Sequence, residues 1–590
     1  MKVVVVVGLL ALSWSCAALA AQPAAPCADV AGLWGMEQLY GPLVRGELTL
    51  DGRAAKWRAR IAGYDVPVQR EASTMAFRLP GHAGAFRGYL SADGRAIIGH
   101  WIQPAGILSP TSYATPVELN PARPGVWRGP VLPLDERISL YLWIEVGPEG
   151  SLTAHVYNPE FNFRGNRSYR VVRERDSLTF SAQNNAGDQF GADCDASGRT
   201  LTLRFPELPL RFVLVRRQEQ DAIGFLPRAR LGSPYRYQPP IAEQDGWQVG
   251  SLHDVGLDPE QVAALIERIG SADPRTNPWP IHSLLIARRG KLVLEEYFYG
   301  YGPQRTHDMR SASKTFAPML LGAAAEHGAK ITPATPIYPL FDGYEELANS
   351  DARKSKLTIE HLMTMTSGLA CDDNDDSSPG HEDRMQQQEQ PDWHKYTLDL
   401  PLARDPGGKQ AVYCSAGINL LGGVIAQVTG KWLPRLFQEY VAGPLQFGNY
   451  HMNLMPTGDA YLGGGLYLRP RDQLKLGQLY LSGGLWNGRR VISQQWVARS
   501  TDEHSAFKPS FGVDHGYGYG WHLHHVKVGD KVFRQYAAEG NGGQLVLLFP
   551  ELDLVVAVSG GSYGNFRVWG KWGVDLLPKS ILPAIVDQRP

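Results

Sequence analysis

Ser311 and Lys314 are residues of the types, and at the spacing, that nucleophilic catalysis requires. On a helix a separation of three residues places both side chains on one face. A serine hydroxyl is a weak nucleophile until a base takes its proton, and a buried lysine can serve as that base. The alternative is a helix N-cap followed by a solvated lysine. Spacing alone does not decide, because a second S-x-x-K occurs at Ser505–Lys508, where Pro509 follows.

A tyrosine about one hundred residues further on extends this pattern. Tyr413-Cys414-Ser415 precedes an apolar run that predicts a buried helix. Three more segments support this pattern: HLMTMTSGL at 361–369, GGGLYLRPRDQLKLGQLYLSGGLWNG at 463–488 and GNGGQLVLLFPELDLVVAV at 540–558. Together with the motifs at Ser311 and Tyr413, these segments stand in the order that is typical of the penicillin-recognising serine hydrolases. Residues 241–590 therefore resemble that superfamily. That superfamily includes class C β-lactamases, D-alanyl-D-alanine carboxypeptidases, family VIII-type esterases and 6-aminohexanoate-dimer hydrolases.

The resemblance implies a role for each matching residue. Ser311 would be the nucleophile, and Lys314 and Tyr413 would share the proton transfers. Taken alone, Tyr413 would be interpreted as a buried core aromatic. The backbone N–H groups of Ser311 and Gln544 would form the oxyanion hole. Four further residues would contact the substrate: Ser415, Asn541, Gly542 and Gly543.

Two departures from the superfamily pattern bear on the substrate. Ser415 stands where the second motif usually has Asn, and Asn541 stands where the third motif has Lys or His. A serine has one donor where an amide has two, and Asn541 lacks the cation that helps the family hold a substrate carboxylate. Both departures argue against penicillin-like substrates and favour an ester or a small linear amide.

The cysteines and the N-terminus indicate export. Residues 1–20 combine Lys2, a short apolar stretch and a small-residue ending at Ala20, which predicts a cleaved signal peptide. Cys16 could carry a lipid, but Ser13-Trp14-Ser15 is a poor context for it. The four cysteines beyond this segment allow three connectivities, and pairing within each region would give Cys27–Cys194 and Cys371–Cys414. We expect a secreted or periplasmic protein.

Hydrophobic periodicity divides the chain into regions. Short alternating segments predict an all-β region over 28–230, built from two related β units. A Pro- and Gly-rich linker at 231–247 leads to the hydrolase domain at 248–590, in which strands at both ends flank a helical middle. The predicted fold class is α+β, with a β-lactamase/transpeptidase-like domain after an all-β region.

Charge and composition limit the partners. Lys and Arg (58) nearly balance Asp and Glu (59), so no basic surface is predicted for nucleic acid, and no later stretch is apolar enough to insert in a membrane. The acidic segment 371–383 lacks the glycine of a calcium loop and predicts a solvated loop. His522 and His524 are interpreted as ordinary strand residues, and we expect neither metal nor cofactor.

These observations predict an exported serine hydrolase that cleaves a small ester or amide through an acyl-enzyme on Ser311. One alternative is a cell-wall D-alanyl-D-alanine carboxypeptidase or β-lactamase, which the missing third-motif cation argues against. The other is a non-catalytic ligand-binding protein on this fold, which the intact Ser311, Lys314 and Tyr413 argue against.

Overall fold

The computed structural model describes most of the chain beyond the N-terminal segment. The described residues are 27, 29–53, 56–162, 167–183, 187–195, 197–206, 208, 210–221, 223–228, 234–276, 279–344 and 346–586. The predicted signal peptide at 1–20 and Cys16 lie outside them. No helix within these ranges is both long enough and apolar enough to cross a membrane.

The N-terminal region is formed by strands, as its alternating pattern predicts. The strands are Gly32–Gly41 (β1), Gly46–Asp51 (β2), Arg58–Ile61 (β3), Tyr64–Pro67 (β4), Gln69–Glu71 (β5), Thr74–Arg78 (β6), Ala85–Leu90 (β7), Ile97–Gln103 (β8), Ser112–Arg123 (β9), Val126–Val131 (β10), Glu136–Val146 (β11), Leu152–Tyr157 (β12), Ser168–Glu174 (β13), Ser177–Ala182 (β14), Gln189–Cys194 (β15), Thr200–Arg204 (β16) and Arg211–Arg217 (β17). In the described chain, β1 and β11–β17 close into a barrel in the order β1-β11-β12-β13-β14-β15-β16-β17. Helical turns in the described part of this region are short 3₁₀ segments at Pro80–His82, Pro148–Gly150 and Glu219–Asp221.

The C-terminal region contains the remaining strands. They are Gln248–Val249 (β18), Ile281–Arg288 (β19), Lys291–Tyr297 (β20), His307–Asp308 (β21), His451–Leu454 (β22), Leu466–Leu468 (β23), Leu485–Trp486 (β24), Arg489–Arg490 (β25), Ser505–Ala506 (β26), Gly516–Tyr517 (β27), His522–Val528 (β28), Lys531–Gly540 (β29), Gln544–Phe549 (β30) and Leu554–Gly560 (β31). Over the described ranges, nine of them form one sheet in the order β18-β20-β19-β31-β30-β29-β28-β27-β26. Strands from both ends of this region therefore share a sheet, as the α+β prediction requires.

The helices of the C-terminal region lie between its strands and after its last strand. They are Pro259–Gly270 (α1), Phe316–Glu326 (α2), Ile359–Met363 (α3), Glu382–Gln387 (α4), Trp393–Asp399 (α5), Ser415–Thr429 (α6), Leu433–Phe437 (α7), Pro470–Leu481 (α8), Gln494–Ser500 (α9), Phe566–Lys571 (α10) and Leu577–Ile581 (α11). α2 and α6 are buried on nearly all sides, which is the pattern of helices inside a core. They contact each other, and α8 packs on β19, β30 and β31.

The chain divides into two compact units. The smaller takes its described residues from Met1–Trp34, Trp143–Ala154 and Ser168–Arg216, and the larger from Gly35–Leu142, His155–Arg167 and Arg217–Pro590. Cys27–Cys194 lies in the smaller unit and Cys371–Cys414 in the larger, so both disulfides expected from pairing within regions are present. The described part of the predicted linker, 234–247, contains neither helix nor strand.

The segment that carries Ser311 and Lys314 is fixed from two sides within the larger unit. It begins directly after β21, which pairs with β23, and the Met309 N–H donates to the Leu466 carbonyl oxygen at 3.0 Å. On the other side it contacts β29 and β30. The contact is close at Gly540, where a methyl group would lie 2.4 Å from the Met309 carbonyl oxygen and 3.0 Å from the Ala312 nitrogen.

We predict that Gly540→Ala lowers the free energy of unfolding by about 1–3 kcal/mol, because the added methyl group meets backbone atoms that cannot move independently. The measurement is urea unfolding of the variant beside the unchanged protein. Gly302→Ala is the control, since a methyl group there would meet nothing within 4 Å. Equal effects of the two substitutions would contradict the close contact.

Candidate active site

Ser311 and Lys314 are joined by a hydrogen bond. They lie in the 3₁₀ helix Arg310–Thr315, whose three residues per turn align positions i and i+3. Lys314 Nζ donates to Ser311 Oγ at 2.8 Å. Lys314 is only 2% exposed, so the alternative of a solvated lysine is wrong. Nor does a serine side chain cap this helix, because its N-cap is Met309.

The α-helix that follows this 3₁₀ helix starts at Phe316. Two hydroxyl groups in this segment bond to backbone carbonyl groups. Ser313 Oγ donates to the Arg310 carbonyl oxygen at 2.8 Å, and Thr315 Oγ1 donates to that of Gly520 at 2.7 Å. The Ser313 bond is local and competes with α-helical pairing, in keeping with the tighter 3₁₀ geometry, whereas the Thr315 bond ties the segment to a distant part of the chain.

Burial and nearby carboxylates shift the pKa of Lys314 in opposite directions. Burial is the larger effect and lowers the pKa of Lys314, while the charges of Glu382 and then Asp373 raise it. The net direction is downward, so the neutral amine that can accept a proton is favoured compared with a solvated lysine.

Tyr413 completes the group around the serine. Its hydroxyl group interacts with Ser311, and Lys314 Nζ lies 5.0 Å from the centroid of its ring. Burial raises the pKa of Tyr413, and the interaction with Ser311 offsets only part of that rise. Tyr413 is a protonated group that can donate.

Ser415 contacts two carboxylates. It is fully buried, and its backbone N–H and its Oγ donate to Asp373 Oδ2 at 2.8 and 2.6 Å. The same Oγ lies 3.3 Å from Glu382 Oε2, and the Glu382 N–H donates to Asp373 Oδ1 at 3.0 Å. Ser415 therefore holds an acidic pair beside Lys314. Its contact with substrate stays a prediction.

Asp373 and Glu382 are site residues that the sequence reasoning missed. Their segment was predicted to be a solvated loop, which holds for the exposed Asp375 and Asp376. In contrast, burial and the charge of Glu382 raise the pKa of Asp373, and Tyr461 donates its hydroxyl hydrogen to Glu382. The sequence did contain an indication that Asp373 lies at the site, because the expected disulfide between Cys371 and Cys414 brings Asp373 next to Ser415.

The turn from Asn541 to Gly543 joins β29 to β30 beside the 3₁₀ helix. Gly542 and Gly543 have φ of +98° and +91°, a region that favours glycine. Asn541 is exposed and its Oδ1 accepts from the Gly564 N–H at 2.9 Å. Gln544 is buried, and its Nε2 donates to the Gly560 carbonyl oxygen at 2.6 Å. The oxyanion-hole role of the Ser311 and Gln544 backbones stays a prediction.

His522 and His524 belong to a cluster of polar side chains near this site. His524 Nε2 lies 2.9 Å from Glu539 Oε1, and His522 Nδ1 lies 2.6 Å from His515 Nε2. Phe507 packs between this cluster and Tyr413, with ring centroids 6.0 Å from both His522 and Tyr413. Across the described ranges, no group of three or more His, Cys, Asp or Glu side chains could hold a metal ion.

The family of the C-terminal region follows from comparison with known proteins. Residues 280–565, which contain every site residue named above, match the family model described as Beta-lactamase. This part of the chain is β-lactamase-like. The resemblance inferred from the sequence is confirmed, and with it the β-lactamase/transpeptidase-like fold of this domain.

A curated protein that is similar to this chain is 6-aminohexanoate-dimer hydrolase of Paenarthrobacter ureafaciens. It is 25% identical over 244 residues, which are 40% of this chain and 60% of that protein. The chain thus matches somewhat more than half the length of this relative.

Solved structures with a similar fold include a putative 6-aminohexanoate-dimer hydrolase from Bacillus anthracis. It is 17% identical, with a TM-score of 0.43, and the match covers 60% of this chain and 89% of that one. A putative β-lactamase from Bacteroides dorei is 18% identical, with a TM-score of 0.44, and the match covers 55% and 98%. At these scores the likeness carries no argument about function.

We predict that Asp373 and Ser415 stabilise the larger unit cooperatively. A double-mutant cycle of Asp373→Asn and Ser415→Ala should give a coupling energy of about 1–3 kcal/mol in the free energy of unfolding, because the partly buried carboxylate loses charge-assisted hydrogen bonds to the fully buried Ser415. The control cycle uses Asp375 and Ser377, an exposed pair whose Oδ1–Oγ distance is also 2.6 Å. Equal coupling in the two cycles would contradict the importance of burial.

Proposed function

We propose that the β-lactamase-like part of the chain hydrolyses an ester or amide through a covalent acyl-enzyme on Ser311. The observation that carries this proposal is the 2.8 Å hydrogen bond between Lys314 Nζ and Ser311 Oγ, in which the lysine is buried and its pKa is lowered. A nucleophile paired with a base of reduced pKa is the arrangement that covalent catalysis needs.

In the proposed first half-reaction, neutral Lys314 takes the proton of Ser311 as Oγ attacks the substrate carbonyl carbon. The negative charge that forms on the carbonyl oxygen is stabilised by the Ser311 and Gln544 N–H groups, each typically worth about 3–4 kcal/mol. Tyr413 then donates its proton to the leaving group, and the Lys314 ammonium returns a proton to Tyr413. The raised pKa of Tyr413 suits this donor role.

In the second half-reaction a water molecule replaces the leaving group. The same residues act in the reverse roles: a proton from water passes to the base, and Ser311 Oγ leaves the acyl carbon with a proton. The products are a carboxylic acid and the regenerated hydroxyl of Ser311. No cofactor is needed for either half-reaction.

The substrate is proposed to be a small ester or linear amide. Asn541 and Ser415 replace the residues with which the superfamily holds a carboxylate and an amide, and Ser415 is already engaged by Asp373 and Glu382. The curated relative is named for an amide-cleaving activity of this kind. We also propose export, because two disulfides suit an oxidising compartment.

We predict that Ser311→Ala removes hydrolysis of p-nitrophenyl butyrate without loss of structure. Lys314→Ala and Tyr413→Phe should each reduce kcat by about 10²–10⁴-fold, and the double variant should lose far less than the product of the two, because the residues act as one unit. Steady-state kinetics and circular dichroism check this. Independent, multiplicative losses would contradict a shared proton pathway.

We predict that kcat/KM rises with pH as Lys314 loses its proton, with an apparent pKa below the 10.5 of an ordinary lysine. Because the charge of Glu382 raises the pKa of Lys314, Glu382→Gln should shift this rise to lower pH. Asp383→Asn, at an exposed neighbouring position, is the control and should leave the profile in place. A shift to higher pH in Glu382→Gln would contradict Lys314 as the base.

We predict that short-chain p-nitrophenyl esters are hydrolysed with a higher kcat/KM than the β-lactam nitrocefin, because Asn541 supplies no cation at the third-motif position, where the superfamily holds the carboxylate of a penicillin-like substrate. The two rates are measured on the same preparation, with Ser311→Ala as the blank for both. A larger kcat/KM for nitrocefin would instead indicate a β-lactamase.

A further inference from the structure

Arg310, the residue before the nucleophile, has an unusual backbone conformation. Its φ is +47°, in the left-handed region that residues other than glycine seldom adopt. Nothing in the arginine side chain favours this conformation. Strain of this kind persists only where surrounding contacts enforce it, and it is concentrated at functional sites.

Asp308 enforces the conformation of Arg310. One carboxylate oxygen, Oδ1, accepts from the Arg310 N–H at 2.8 Å, and the other, Oδ2, lies 2.7 Å from Arg310 Nε. Asp308 is itself fixed by the pairing of β21 with β23, opposite Tyr467. A single anchored carboxylate therefore sets both the backbone and the side chain of Arg310.

The guanidinium group of Arg310 lies over the aromatic ring of Tyr563. Its central carbon is 5.2 Å from the centroid of the Tyr563 ring. The same ring lies against the Asn541–Gly543 turn, because a methyl group on Gly542 would be 2.7 Å from it. The charge of Glu382 acts on both Arg310 and Lys314. These contacts place the guanidinium on the side of the site that holds the turn.

The two terminal nitrogens of this guanidinium group can accept a ligand from solvent. The Arg310 side chain is 44% exposed, and within the described part of the chain neither terminal nitrogen has a hydrogen bond. Because Asp308 occupies Nε, the two terminal nitrogens remain as a planar fork with free N–H donors. That fork matches the two oxygens of a carboxylate.

We propose that Arg310 binds a carboxylate of the substrate, so that the enzyme prefers esters or amides carrying a carboxylate a few bonds from the cleaved carbonyl group. This inference rests on the proposed function, because Ser311 must be the reacting residue. It adds a specificity-determining side chain that the S-x-x-K pattern does not include. The competing interpretation is that Arg310 only stabilises the turn through Asp308.

The test compares pairs of ester substrates that differ by one carboxylate, with each rate corrected for spontaneous hydrolysis. The acyl pair is mono-p-nitrophenyl glutarate and p-nitrophenyl butyrate, and the leaving-group pair is 3-carboxyphenyl butyrate and phenyl butyrate. The unchanged enzyme should have a higher kcat/KM for the carboxylated member of at least one pair. Arg310→Gln should reduce that preference about 10–100-fold, the loss of a charge-assisted hydrogen bond.

Two further variants separate binding from structure. Arg310→Lys keeps the charge but loses the fork, so it should retain part of the preference. Arg534→Gln removes a half-exposed arginine six residues along β29 from Gly540, about 20 Å away, and should change nothing. If Arg310→Gln lowers both members of each pair equally, the role is structural and the inference is wrong.

A binding measurement keeps the two proposals separable. Isothermal titration with glutarate, and with uncharged glutaramide as the matched ligand, needs no turnover. Glutarate should bind more tightly than glutaramide to the unchanged protein, and Arg310→Gln should abolish the difference. Failure of all four esters to react would contradict the proposed function, whereas equal binding of glutarate and glutaramide would contradict the role of Arg310.

Discussion

The site depends on one interaction, the hydrogen bond from a buried lysine to a serine hydroxyl. Burial makes the ammonium form of Lys314 costly and so prepares it to accept a proton, while Asp373 and Glu382 limit how far its pKa falls. The same burial keeps Tyr413 protonated. In the proposed mechanism Lys314 is the base and Tyr413 is the acid beside Ser311, and the apolar surroundings that the fold provides suit each residue to that role.

Those surroundings come from elements far apart in the sequence. The 3₁₀ helix is held by β21 on one side and by Gly540 at the end of β29 on the other. The disulfide Cys371–Cys414 ties the acidic segment to the start of α6, so that Asp373 meets Ser415. We infer that the disulfide serves the geometry of the site as well as stability, since it joins the neighbours of Tyr413 and Asp373.

The residue pattern was enough to predict the strand-rich N-terminal region, the α+β domain and both disulfides. It also selected Ser311, Lys314 and Tyr413, which the structure brings together. It could not reveal Asp373 and Glu382, because a run of acidic residues has the composition of a solvated loop and only tertiary contacts partly bury two of them. The positive φ of Arg310 was equally hidden, since it arises from Asp308 and not from the arginine itself.

The central claim is that Ser311 carries the acyl group during turnover. The most direct measurement is mass spectrometry of protein quenched during hydrolysis of p-nitrophenyl butyrate, followed by peptide mapping. The account predicts one butyryl group on the peptide that contains Ser311, and none in Ser311→Ala. Hydrolysis that proceeds with the butyryl group on another residue, such as Ser505 of the second S-x-x-K, would contradict it.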